Sequence, residues 1–86
     1  MKKQEKCVKV RSCAIRILYN VYINDRNLFD EVMKYLKGLK KDEIRYSDVV
    51  RALAKITEKD EKQIRRDYPL KRPDKDFIKK CEKLIV

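Results

Sequence analysis

Apolar residues recur along the chain at steps of three and four. Cys7, Val10, Ala14, Ile17 and Val21 form one stripe, and Val8, Ile15, Leu18 and Tyr22 form a second beside it. This spacing predicts a helix over 6–23 whose apolar face is wider than a surface helix needs. On so short a chain a face that wide implies a partner, and a second copy is the simplest one. Val10, Ala14, Ile15, Ile17, Leu18, Val21 and Tyr22 are therefore the expected homodimer interface.

Asn24-Asp25-Arg26-Asn27 breaks the pattern, since Asn and Asp side chains accept backbone N–H bonds at turns and caps. A second helix follows on Leu28, Phe29, Val32, Met33 and Leu36. Asp30 and Glu31 stand in its expected first turn, Lys34 and Lys37 in its last, and Gly38 at the position after its end. Residues 43–46 alternate, which suits a short strand or an extended lead-in. Ser47 is then the expected cap of a helix over 48–56 that buries Val49, Val50, Leu53, Ala54 and Ile56. Thr57-Glu58-Lys59 is a turn. Asp60 caps the next helix, with Gln63 at the third position as in a capping box. That helix turns Ile64 and Tyr68 inward and stops before Pro69. Pro69 to Pro73 reads as a rigid basic linker. Asp74 caps a last helix carrying Phe77, Ile78, Cys81, Leu84 and Ile85.

The expected fold is one all-α domain over 1–86, with room for one short β element at 43–46. Residues 1–24 form the basic dimerising helix, 28–68 a helix-turn-helix core, and 74–86 a terminal packing helix. Composition agrees. The single Gly and two Pro disfavour sandwiches, barrels and Gly-rich phosphate loops. With 86 residues the core should be thin. With 44% charged residues the surface must be almost all charge.

Charge and residue types narrow the chemistry. Lys and Arg number 24 against 14 Asp and Glu, a net +10, so an anionic partner is expected. Histidine is absent, which removes imidazole catalysis and His–metal sites. Cys7, Cys13 and Cys81 lack metal-site spacing, so no metal and no cofactor are expected. They read as thiols in a reducing, cytoplasmic setting. A bridge from Cys81 to Cys7 or Cys13 stays open, because the Lys/Ile/Arg/Glu-rich composition resembles that of thermophiles. No apolar run exceeds three residues, so neither a membrane helix nor a leader is expected. Ser12, Ser47 and Cys13 have no base beside them in sequence. Asp42/Glu43 and Asp74/Asp76 read as caps and ion pairs, and Tyr19/Tyr22 as core or interface. No enzyme and no small-molecule substrate are expected.

The informative stretch is 46–72, where two short helices are joined by a three-residue turn, the dimensions of a helix-turn-helix. A wheel centred on Ile64 places Lys62 and Arg66 on the outer side, flanked by Gln63 and Arg65. Arg pairs bidentately with guanine, Gln with adenine, and Lys anchors phosphates. Residues 60–67, Asp-Glu-Lys-Gln-Ile-Arg-Arg-Asp, resemble the recognition helix of winged-helix repressors of the deoxyribose-operon type, Ser-x-x-Thr-Ile-Arg-Arg-Asp-Leu. Asp60 stands for the capping Ser and Gln63 for the Thr, while Ile64, Arg65, Arg66 and Asp67 match. Phe29-x-x-Val-Met-x-x-Leu is similar to the first helix of such domains, and 44–53 to their short strand and second helix. Lys59 departs from the pattern, and Pro69 and Pro73 stand where a β-hairpin wing would begin.

The resemblance implies a small regulator that binds double-stranded DNA with sequence preference. Lys62, Gln63, Arg65 and Arg66 would read or clamp the groove, and Lys59, Arg51, Arg45, Lys71 and Arg72 would hold phosphates. Lys2, Lys3, Lys6, Lys9, Arg11 and Arg16 offer a competing basic footprint. Two other classes suit the same charge: a basic helical adaptor or inhibitor docking on an acidic protein, and an RNA-binding subunit of a ribonucleoprotein.

Overall fold

The computed structural model describes residues 9–82. Its elements run β1 (Lys9–Val10), α1 (Ser12–Asn24), α2 (Arg26–Gly38), β2 (Glu43–Ile44), α3 (Tyr46–Thr57), α4 (Glu61–Asp67) and α5 (Lys75–Glu82). The domain is thus mostly α, with a two-stranded parallel sheet as its only extended pairing among the described residues. The expected short strand is present as β2. Its partner is β1, in the register Lys9↔Glu43 and Val10↔Ile44.

That pairing corrects the helix expected over 6–23. Residues 9–10 are extended, and the helix begins at Ser12. Lys9 N–H donates to the Asp42 carbonyl at 2.9 Å and Arg11 N–H to the Ile44 carbonyl at 2.9 Å. These bonds draw the backbone ahead of α1 out of the helical conformation. The parts of the reading that rest on Lys2, Lys3, Lys6, Cys7, Val8, Leu84 and Ile85 lie outside the described residues.

Helix α3 is central and packs against α1, α2 and α4, while α5 closes on α1 and β1. Val49, Val50, Ala52 and Leu53 of α3 meet Ala14, Ile17, Leu18 and Val21 of α1 in one core, joined by Val32, Leu36, Ile44 and Ile64. Tyr19, Tyr22, Phe29 and Phe77 complete it, with ring centroids 5.0–5.8 Å apart in tilted and edge-on pairs. Tyr19 and Tyr22 are half-buried in this cluster, so of the two roles open to them in sequence, core or interface, they take the core one.

The residues expected to form a dimer interface therefore have another place. Ala14, Ile15, Ile17, Leu18 and Val21 are buried within the single chain, and Val10 and Tyr22 are half-buried against the same core. The wide stripe exists because α1 is covered on several sides by α2, α3 and α5. A helix enclosed by its own chain needs an apolar face as wide as one enclosed by a partner.

Caps set the boundaries. Asp25 alone separates α1 from α2, its Oδ1 accepting from Leu28 N–H at 3.1 Å. Helix α2 therefore starts at Arg26, ahead of the predicted start, and has no acidic residue in its first turn. Gly38 ends α2 as a helical residue, and the left-handed position falls on Lys40, at φ 53°. Asp74 caps α5 as predicted, accepting from Phe77 N–H at 2.8 Å. The start of α3 differs from expectation, for the cap position is Arg45 and Ser47 is helical. Asp48, at the third helical position, reaches back to accept from Arg45 N–H at 2.9 Å.

Candidate nucleic-acid interface

Helices α3 and α4 are joined by residues 58–60. Glu58 takes the left-handed conformation at φ 57°, and Lys59 N–H closes on the Ala54 carbonyl at 3.0 Å. Glycine commonly fills this position in turns between paired helices, so the backbone makes the turn at the cost of a strained Glu. Asp60 Oδ1 then accepts from Gln63 N–H at 2.8 Å and starts α4 as the sequence predicts. The reciprocal half of the capping box is not made. Gln63 turns its amide forward instead, donating to Asp67 Oδ1 at 2.9 Å.

Ile64 is the one buried residue of α4 and seats the helix on α3. Lys62, Gln63, Arg65 and Arg66 are all exposed, so the outer face carries the side chains that the helical wheel places there. They are not equally available. Gln63 and Lys59 both engage the Asp67 carboxylate, Lys59 Nζ at 3.3 Å. Arg65 folds toward the Tyr46 ring, its guanidinium carbon 6.0 Å from the centroid. Lys62 and Arg66 have no ion-pair partner among the described residues.

From Arg65 the basic surface continues away from α4. Tyr46 and Arg45 line a cleft of about 400 Å³ with Arg11, Ser12 and Cys13. Here Glu43 compensates the charge, meeting Arg45 Nε at 2.8 Å and Arg11 at 3.5 Å. The hydrogen bond from Arg45 holds the Glu43 carboxyl below its usual range, with the charges of Arg11, Arg45 and Lys9 assisting against partial burial. Beside it, Asp48 is buried, which pushes its carboxyl up. Hydrogen bonds from Lys41 Nζ and the Arg45 N–H, with the charges of Lys41 and Arg51, outweigh burial and hold it below its ordinary value.

Ser12 also lines a second cleft with Arg16 and Arg72. The linker after α4 creates this juxtaposition. Asn20, buried on α1, donates from Nδ2 to the Pro69 carbonyl at 2.6 Å, and Lys71 N–H reaches the Arg16 carbonyl at 3.4 Å. Asn20 and Arg16 lie one turn apart on α1. The linker therefore runs antiparallel to the helix and delivers Arg72 next to its first turn. Asn20 is a polar residue within an apolar stripe, and that is its local signal. Its partner, a carbonyl far along the chain, has none.

Of the expected site residues, the structure sets Lys62, Gln63, Arg65, Arg66 and Lys59 on or beside α4, with Arg45 reached through Tyr46. Arg72 stands at the far end of the same strip, beside Arg16. Arg51 is exposed on α3. Arg11 and Arg16, grouped by sequence with the competing N-terminal footprint, instead join Arg45 and Arg72. Residues 68–74 hold no strand, so no β-hairpin wing follows α4. Cys13 is exposed with a free thiol and does not bridge Cys81, which is buried in the core; Cys7 lies outside the described residues. Among the described residues no cluster of acidic and Cys side chains could hold a metal, and no helix is long and apolar enough to cross a membrane.

No protein-family model, no curated protein and no solved structure matches the chain.

Proposed function

We propose that the chain binds double-stranded DNA with sequence preference, presenting α4 to the major groove as a small regulator would. The observation that carries this reading is the outer face of α4. Lys62 and Arg66 project from a short capped helix seated by Ile64, with no carboxylate among the described residues taking up their charge. A helix in the major groove reads base edges from such positions, and neighbouring cations hold the phosphates on its flanks. Lys59 and Gln63 lie on one flank, and Arg65, Arg45 and Arg11 on the other.

Fluorescence anisotropy on duplex and on single-stranded DNA at two salt concentrations tests the reading. Affinity for duplex should exceed that for single strand and fall steeply with salt. Lys62→Ala with Arg66→Ala should cost about 1–3 kcal/mol per lost base contact on a selected site and less on random duplex. An unchanged affinity on both would remove α4 as the reading element. A preference for single-stranded RNA would favour the ribonucleoprotein class.

A further inference from the structure

The cleft between α1 and residues 72–78 differs from two other clefts among the described residues in the composition of its wall. The cleft at Tyr46 holds two arginines, but Glu43 binds both. A third cleft sets Lys80 against Asp74 and Asp76. The cleft of Arg16 and Arg72 has a volume of about 410 Å³ and no carboxylate among the described residues that line it. Neither arginine has an ion-pair partner among the described residues. Arg16, Arg72 and Ser12 therefore line one space, and the charge of the two guanidiniums is uncompensated among the described residues. The rest of the wall is apolar: Val10 from β1, Ile15 from α1, and Pro73 and Ile78 from the linker and α5.

We infer that this cleft is a single-nucleotide site, taking the phosphate of an unpaired nucleotide on Arg16, Arg72 and Ser12 and its base on the apolar wall. Three features select this occupant. Uncompensated guanidiniums call for an anion, and planar guanidiniums match phosphate oxygens bidentately. The volume lies within the ~300–1,000 Å³ of small-molecule sites and far exceeds what a phosphate group alone would fill. The apolar wall offers nothing to a second charge and suits the face of a base. A base within a duplex is stacked on its neighbours, so the nucleotide that fills the cleft is one outside the stack, at a strand end or overhang. The cleft lies at the end of the strip that runs from α4 through Tyr46 and Ser12. The inference rests on the nucleic-acid reading for its choice of anion, and it makes the partner of that surface a duplex with an unpaired end.

The test is a heteronuclear NMR titration of the full chain with thymidine 5′-monophosphate, with inorganic phosphate and thymidine as separate arms at constant ionic strength. Saturable shifts of the Ser12, Arg16 and Ile78 amides are expected with the nucleotide. Inorganic phosphate should bind the same residues about tenfold more weakly, and thymidine should leave them unmoved. Arg16→Gln with Arg72→Gln, at two exposed positions, should keep the dispersed spectrum of the fold and lose the nucleotide shifts by tenfold or more in affinity. A duplex with a short overhang should bind the wild type more tightly than a blunt one, and this difference should vanish in the double variant. Equal affinity for phosphate and nucleotide would overturn the site as a nucleotide cleft. So would shifts scattered over the basic surface without saturation, or nucleotide binding unchanged in the double variant. These readouts are separate from the α4 test: failure here with Lys62- and Arg66-dependent duplex binding intact removes the cleft alone. The converse removes α4 alone.

Discussion

Helix α1 buries Ala14, Ile15, Ile17, Leu18, Asn20 and Val21, whereas α4 buries only Ile64. Both helices are amphipathic, and sequence periodicity finds both. The first is enclosed by α2, α3 and α5, so its side chains answer to packing. The second buries Ile64 alone, so its exposed side chains can answer to a partner. An apolar stripe thus says that something covers a helix, while an exposed charged face on a minimally anchored helix is where binding can change without unfolding the domain.

The contrast can be broken most severely at α1. Leu18→Glu puts a charge into a fully buried site, and such substitutions exceed about 4 kcal/mol. Circular dichroism should show an unfolded chain; a folded, monodisperse variant would mean that α1 is less enclosed than its contacts indicate. Ile64→Ala should cost about 2–5 kcal/mol by leaving a cavity beneath α4. Hydrogen exchange should show α4 opening well before α1, and equal protection of the two helices would remove the distinction.

A third expectation concerns pH. The Asp48 carboxyl is held below its ordinary value in the fold, so its stabilisation is complete above the unfolded value of about 3.9 and is lost as pH falls through the folded value. Thermal melts of the wild type should fall below about pH 4, and Asp48→Asn should show a shallower fall over the same range. Parallel curves would show that the contacts from Lys41 and Arg45 do not stabilise the start of α3.

The smallest effects are expected in the turn before α4. Asp60→Ala removes the cap bond to Gln63 and should cost about 1 kcal/mol. Glu58→Gly should stabilise by about 1 kcal/mol, because the left-handed backbone there strains any residue with a Cβ. Chemical denaturation reads both, and destabilisation by glycine would mean that the Glu58 side chain makes a contribution greater than the strain.

Two of the caps were legible in sequence because they are local. Asp60 and Asp74 each accept from a backbone N–H three residues ahead, and an Asp before a periodic apolar run shows this directly, whereas Asp25 reads in sequence only as part of a turn and Ser47 is expected where Arg45 holds the cap of α3. Gly38 misled for a related reason: glycine is the usual left-handed residue, but the chain continues to Lys40 before it turns. The orientation of α4 was legible too, since one inward residue, Ile64, determines which side chains face out.

What the sequence determined by itself is the helical content, most of the element order and the exposed identity of the α4 face, all consequences of periodicity and capping over a few residues. The tertiary structure decided the rest. It pulled Lys9–Val10 into a parallel pair with Glu43–Ile44, and it covered the α1 stripe with the chain's own helices instead of a second copy. By binding Asn20 to the Pro69 carbonyl it brought Arg72 beside Arg16. Each of these joins residues far apart in the chain. Local spacing does not record which distant partner covers an apolar face or satisfies a buried amide, because many partners would satisfy the same pattern equally well.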